Sequence, residues 1–257
     1  MHKLFIEGVS FLRGDASLES FAPFVQVRQL RRMEMIAKNV LLCSFRACEQ
    51  AQVIDRSDMG ISISCGTGSL ENTCKFLDSI IEDGDELSSP TAFAGSVHNA
   101  TGLTLSLFLG SHGPCVTTGQ LEGSFGAAFL TAQQFLAQKM CSRVLVAVTE
   151  DINPVGMDLL PADTGRFSSL FPRPQGPFER VAVAFVVTSE KSPMALFEIT
   201  RFEFSRTSAQ QVQNISVSSP AYMALQAAEL MAAQKTFSLH TSFAGTDLLL
   251  EGNSCVN

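Results

Sequence analysis

Apolar and polar positions alternate over residues 3–11 (KLFIEGVSF), the period of a strand, and loop signals follow over residues 13–24, ending near Pro23. From 29 to 50 the period changes. Leu30, Met33, Ala37, Val40, Leu41, Ser44 and Cys48 recur at helical spacing, with Arg31, Arg32 and Lys38 elsewhere on the surface. Residues 60–65 (GISISC) read as a buried strand that passes through Gly66-Thr67-Gly68 into a helix over 69–82, with Leu70, Cys74, Leu77 and Ile81 turned inward. An acidic turn over 83–90 precedes SPTAFAGSVHNATG, which feeds a short apolar helix over 100–109. RVLVAVT (143–149) and VAVAFVVT (181–188) are continuous apolar runs, the mark of strands covered on both faces, and Glu150 and Asp151 end the first. Between them, residues 153–177 form a long Pro-, Gly- and Asp-bearing loop that suits a lid or an interface. A helix over about 220–235 follows.

The stretch that carries candidate chemistry is GPCVTTGQLEGSFGAAFLTAQQFLAQ, residues 113–138. Cys115 to Thr118 are β-prone, Gly119 and Gly123 permit a tight turn, and Phe125, Ala128, Phe129, Ala132, Phe135 and Leu136 repeat at helical spacing. This predicts a strand, an elbow and a buried helix. Such elbows lift one side chain above the strand end, where the helix terminus favours a developing anion. Glu122 stands at the predicted apex, and a carboxylate is a poor attacker of thioesters because the resulting anhydride exchanges back. Alternatively, Glu122 simply opens the helix favourably near its positive end. On either reading no cysteine occupies the elbow.

Composition narrows the class. A chain of 257 residues, 46% hydrophobic and 17% charged, can bury one compact α/β core. A formal charge of −7 argues against nucleic acid or an anionic membrane as the main partner, and would repel an acidic protein overall. Seven cysteines, at 43, 48, 65, 74, 115, 141 and 255, lie mostly in apolar segments without CxxC pairs, which suits buried reduced thiols in a cytoplasmic protein and no metal site. Residues 1–12 lack the features of a signal peptide, and no apolar run approaches the ~18 residues of a membrane span. Gly66-Thr67-Gly68 lacks the lysine of a phosphate loop, so it reads as close backbone packing, and no bound cofactor is expected.

Two motifs carry a resemblance. In β-ketoacyl synthases, which are thiolase-fold condensing enzymes, a Gly-Pro pair is followed by seven residues and then the active cysteine at the head of a buried helix. Counting from Gly113 and Pro114 across CVTTGQL reaches Glu122. Together with SPTAFAGSVHNATG, the segment resembles short ketosynthase-like proteins termed chain-length factors, in which an acidic residue often replaces the cysteine. Some carry glutamine there, which makes Gln120 the alternative registration. The resemblance implies an α/β, thiolase-like fold with ketosynthase-type α-β-α layers, truncated in the second half. Residues 1–257 would form one ketosynthase-like domain, with 1–190 the first thiolase-like half and 191–257 an abbreviated second half.

It also implies that Val97, His98, Asn99, Gly102, Gly123, Ser124 and Phe125 face a partner subunit or an acyl tunnel. Read alone, His98 is a hydrogen-bonded structural residue. The segment that bears the two catalytic histidines of a complete ketosynthase has no room here. His240 falls near the closing turn, and His2 and His112 match no ketosynthase histidine motif. The cluster at Arg28, Arg31 and Arg32 reads as a solvated helix face, with contact to a carrier phosphate as the alternative.

The resulting expectation is a non-condensing, cytoplasmic subunit that pairs as a heterodimer with a full-length β-ketoacyl synthase and shapes its chain tunnel in fatty-acid, polyketide or aryl polyene biosynthesis. The phosphopantetheine of an acyl carrier protein would be an indirect partner, the carrier docking mainly on the ketosynthase. One alternative is a malonyl-carrier-protein decarboxylase that supplies a starter unit. Another is an unrelated acyl hydrolase or transferase using Cys115 or Cys65 with His98 or His112.

Overall fold

The computed structural model describes residues 3–31, 33–66, 68–83, 87–120, 123–150, 180–206, 220–233, 236–243 and 246–255. Eight strands among them form one sheet: β1 (Leu4–Arg13), β2 (Gly60–Ser64), β3 (Cys115–Thr118), β4 (Val144–Glu150), β5 (Val181–Thr188), β6 (Phe197–Arg206), β7 (Thr236–Phe243) and β8 (Thr246–Ser254). Their order is β3-β2-β4-β5-β1-β6-β8-β7. β2 runs parallel to both β3 and β4, and every other pairing is antiparallel. β6, β8 and β7 therefore extend the sheet that the earlier strands begin.

Helices cover both faces, which makes three layers. On one side α1 (Met35–Gln50) and α4 (Ala100–Leu109) pack on Ile61, Ile63, Leu145, Ala147, Ala182 and Ala184. On the other, α5 (Ser124–Ala137) and α6 (Pro220–Ala233) pack on Val144, Val146, Val148, Val183 and Phe185. Alternate residues of β4 and β5 thus enter opposite cores, which is why these strands are apolar at every position. Phe125, Phe129 and Phe185 make edge and stacked contacts at 5.2–6.1 Å between α5 and β5. β3, α4 and β5 occupy the expected positions, and the parallel β4 is buried on both faces.

Three expectations change. The helix expected from residue 29 begins at Met35, after a 3₁₀ turn over Val27–Leu30. Leu30 is still fully buried, because a spacing of three between Leu30 and Met33 serves a 3₁₀ turn as well as an α-helix. On α2 (Leu70–Asp83), Leu77 and Ile81 do not turn inward: they are 49% and 80% exposed. α2 packs chiefly on α3 (Pro90–Ser96), where Phe76 meets Phe93 at 5.1 Å, so its outer stripe has no cover within the described residues. His240 lies not in a turn but on β7, opposite Leu249 and exposed. The loop expected over 153–177 lies outside the described residues.

One buried charge ties the sheet together. Glu7 on β1 is wholly buried; it accepts from Arg143 Nε at 2.6 Å and from the Ser192 hydroxyl. Removing Arg143 would strand a carboxylate in the interior. Arg143→Met is expected to destabilise the chain by about 3 kcal/mol, the lower end for a broken buried pair because the arginine is partly exposed. Urea unfolding of Arg143→Met beside the Glu7→Gln/Arg143→Met double variant checks this, the double variant recovering part of the loss.

Candidate functional site

The carboxyl ends of three strands meet at one edge of the sheet. Parallel strands connected by crossovers bring their ends together, and open α/β sheets place their ligand crevices there. β2 ends at Ser64 and runs into Cys65 and Gly66, β3 ends at Thr118 before the elbow, and β4 ends at Glu150. Glu150 does more than terminate its strand: it is 2% exposed, and its Oε1 accepts from the Gly66 backbone N–H at 2.5 Å. The carboxylate thereby anchors the turn after β2. A signal for this was present, because an acid closing a strand buried on both faces needs an internal donor.

The elbow is held from both sides. Gly123 N donates to Gln120 O at 3.0 Å, and the Ser124 hydroxyl accepts from Gln120 N at 2.7 Å. Thr118 Oγ1 donates to the carbonyls of Ile63 and Ser124, joining β2, β3 and the first turn of α5. Gly123, the N-cap of α5, has no side chain with which to cap that helix, whose first turn favours an anion. Glu122, the expected apex, lies outside the described residues; Gln120, the alternative, is exposed at the mouth. Ser124 and Phe125 are fully buried within this chain, so they shape the elbow from inside and present no surface to a partner.

His98 joins the elbow to the turn after β2. Gly68 has φ +74, and a Cβ built there would stand 3.0 Å from the imidazole; one built on Gly119 would stand 3.2 Å from it. The ring therefore lies against both glycines while remaining exposed, together with Val97 and Asn99. Gly102 is the point where α4 settles on β2 and β3: a Cβ there would come within 3.2–3.3 Å of Cys115 Sγ, Thr117 Oγ1 and Ile63 Cδ1. The sequence-selected residues accordingly divide into buried supports (Gly102, Ser124, Phe125) and an exposed rim (Val97, His98, Asn99, Gln120).

Beyond the rim lies a segment without charged residues of its own. Between Glu86 and Glu122 there is no Asp, Glu, Lys or Arg, in a chain of which 17% is charged. Yet this stretch exposes Phe93, Leu103 and Leu107, the last at 71%, along α3 and α4. It ends in β3, the edge strand of the sheet, with Cys115 and Val116 exposed. Although the residue is exposed, the Cys115 sulfur lies against Gly102 of α4, and this partial burial pushes the thiol up, partly offset by a hydrogen bond with Ser106; burial pushes Cys43 and Cys48 up to about 12 and about 11. These thiols are poor nucleophiles at neutral pH.

The contact between His98 and the glycine turn gives a double-mutant test. Gly68→Ala is expected to cost more than about 1 kcal/mol, through both left-handed backbone strain and the ring. His98→Ala in that background should return the steric part and leave the backbone part, as read from thermal unfolding of the four proteins.

The β-ketoacyl synthase N-terminal domain family matches residues 15–242. No curated protein matches. Among solved structures the chain is similar to one of a type II polyketide synthase acyl-carrier protein in complex with its ketosynthase bound to the hexaketide, with a TM-score of 0.79 and 11% identity over 98% of this chain and 99% of that one. It is also similar to the ishigamide ketosynthase/chain length factor (0.75, 12%, 98% and 99%) and to a ketosynthase in complex with its chain length factor from Xenorhabdus doucetiae (0.61, 15%, 97% and 99%). At these identities the likeness is one of fold, a thiolase-like α-β-α arrangement. With that arrangement and a family match over most of its length, the chain belongs to the β-ketoacyl synthase N-terminal domain family.

Proposed function

We propose that this chain is a non-condensing, chain-length-factor-like subunit that pairs with a full-length β-ketoacyl synthase and shapes the tunnel in which the acyl or polyketide chain grows. The observation that carries the reading is the segment of α3, α4 and the β3 edge, which has no Asp, Glu, Lys or Arg of its own yet exposes large apolar side chains. Exposed edge strands are normally blunted by charges, proline or bulges. β3 is short and follows Pro114 but carries no charge or bulge, and the helices beside it present Phe93, Leu103 and Leu107 to solvent. Exposed apolar side chains of this size suit the core of a permanent interface.

The elbow supports the same reading from the chemical side. Claisen condensation needs a thiol nucleophile, imidazoles and donors for the enolate oxygen, each worth several orders of magnitude. Glu122 stands at the sequence position of that thiol, counted from Gly113 and Pro114. Two of the similar solved structures are ketosynthases with chain length factors, and one holds a ketosynthase with its acyl-carrier protein. Here too the carrier's phosphopantetheine would deliver the chain mainly to the ketosynthase, with His98 and its neighbours on the rim nearest the partner.

Co-expression with a full-length ketosynthase from the same pathway and a carrier protein tests this. Condensation is expected only when both subunits are present, and Leu103→Glu/Leu107→Glu should abolish co-purification without lowering thermal stability. Substantial turnover by the isolated chain would overturn the reading. So would malonyl-carrier decarboxylation by the isolated chain that disappears in Glu122→Gln.

The edge strand supplies a separate readout. Maleimide labelling of Cys115 should be slow at neutral pH, accelerate as pH rises, and fall at least tenfold when the ketosynthase is bound, with Cys115→Ser as the blank.

A further inference from the structure

On the α1 side of the molecule the N-terminal ends of three helices converge on a groove of about 660 Å³, a volume in the range that takes a whole organic ligand. α1 contributes Met35 and Lys38, α2 contributes Asn72 and Lys75, and α4 contributes Ala100 and Thr101. The N-cap residues of α1 and α4, Glu34 and Asn99, make no side-chain cap, and although the Ala100 N–H donates to the Val97 carbonyl at 3.0 Å, the next N–H groups at these helix ends favour an anionic acceptor.

Helix ends alone would not distinguish this place from others. Two buried side chains do. Asn72 and Thr101 are only 8% and 7% exposed, and both line the groove. Neither the Asn72 amide nor the Thr101 hydroxyl has a hydrogen-bond partner among the described residues: Asn72 bonds through its backbone N–H to Ser69, and the neighbouring Thr104 takes the Ala100 carbonyl. Groups so deeply buried are almost always satisfied, by protein, water or ligand.

Charge points the same way. Arg31, Lys38, Lys75 and Arg180 line the groove, against Glu34 and Glu71. Glu71 is held by Lys75 at 2.6 Å and by Arg180 at 3.2 Å, and Glu34 Oε2 accepts from the Ser69 hydroxyl at 2.7 Å. Arg31 and Lys38 form no ion pair among the described residues. A local excess of cations in a chain of net charge −7 favours an anionic group.

We propose that this groove binds an organic phosphate, its anion seated between Arg31, Lys38 and the N-terminal ends of α1 and α4, with Asn72 and Thr101 as neutral hydrogen-bonding partners. Glu34 on the same wall favours a ligand whose organic part carries N–H or O–H donors over a bare phosphate ion. Leu103 of α4 lines the same groove.

Calorimetric titration of the full chain at matched ionic strength tests this with pantetheine 4′-phosphate, glycerol 3-phosphate, inorganic phosphate and unphosphorylated pantetheine. Saturable binding of at least one organic phosphate is expected, with pantetheine and inorganic phosphate at least tenfold weaker. Arg31→Ala/Lys38→Ala and Thr101→Val should each weaken it by about tenfold, the loss of a charge-assisted or buried hydrogen bond. Preference for pantetheine 4′-phosphate over glycerol 3-phosphate would identify a carrier-borne arm as the source, and equal binding a free metabolite. The proposal is overturned if no organic phosphate binds beyond the chloride control, if the variants bind as the parent does, or if inorganic phosphate binds as tightly. A chain that pairs with a ketosynthase yet binds none of these ligands overturns this inference alone.

Discussion

The parallel trio β3-β2-β4 is the constraint from which the rest of the molecule follows. Parallel neighbours need crossover connections, and these must lie on the faces of the sheet. The crossover from β3 to β4 is α5, on one face. The crossover from β2 to β3 passes through α2, α3 and α4, and α4 returns to the other face. The carboxyl ends of all three strands then open on one edge, where the elbow, the Gly66 turn and Glu150 meet. Antiparallel β5, β1, β6, β8 and β7 extend the sheet away from that edge and give α5 and α6 the apolar floor they need.

The same crossovers leave one side incomplete. β3 is a short edge strand without a blocking charge, and the helices leading to it carry apolar side chains on their outer faces. A core alone would not require this, since the two helix layers already bury both faces of β4 and β5. Glu150 ties the turn after β2, and hydrogen bonds of Gln120 with Ser124 and Gly123 join the end of β3 to the start of α5.

Much of the fold was legible residue by residue. VAVAFVVT and RVLVAVT could only be strands buried on both faces, and the run from Phe125 to Leu136 could only be a core helix, because burial on two sides removes every polar position. The Gly-Pro count and the SPTAFAGSVHNATG stretch identified the family. Two readings failed for a common reason: apolar spacing records that a side chain is to be covered, not what covers it. Leu77 and Ile81 have helical spacing and remain exposed, and Leu30 serves a 3₁₀ turn where an α-helix was expected.

The sequence by itself determined the periodicities, the absence of a cysteine at the elbow and the lack of charge between Glu86 and Glu122, since these are properties of residue type and order. Only the tertiary structure decided that Glu7 and Glu150 are interior anchors, that His98 rests between two glycine turns, and that Asn72 and Thr101 meet across a groove. Those facts depend on contacts between residues far apart in the chain, and on which backbone donor a packed carboxylate or amide finds, neither of which a linear pattern encodes.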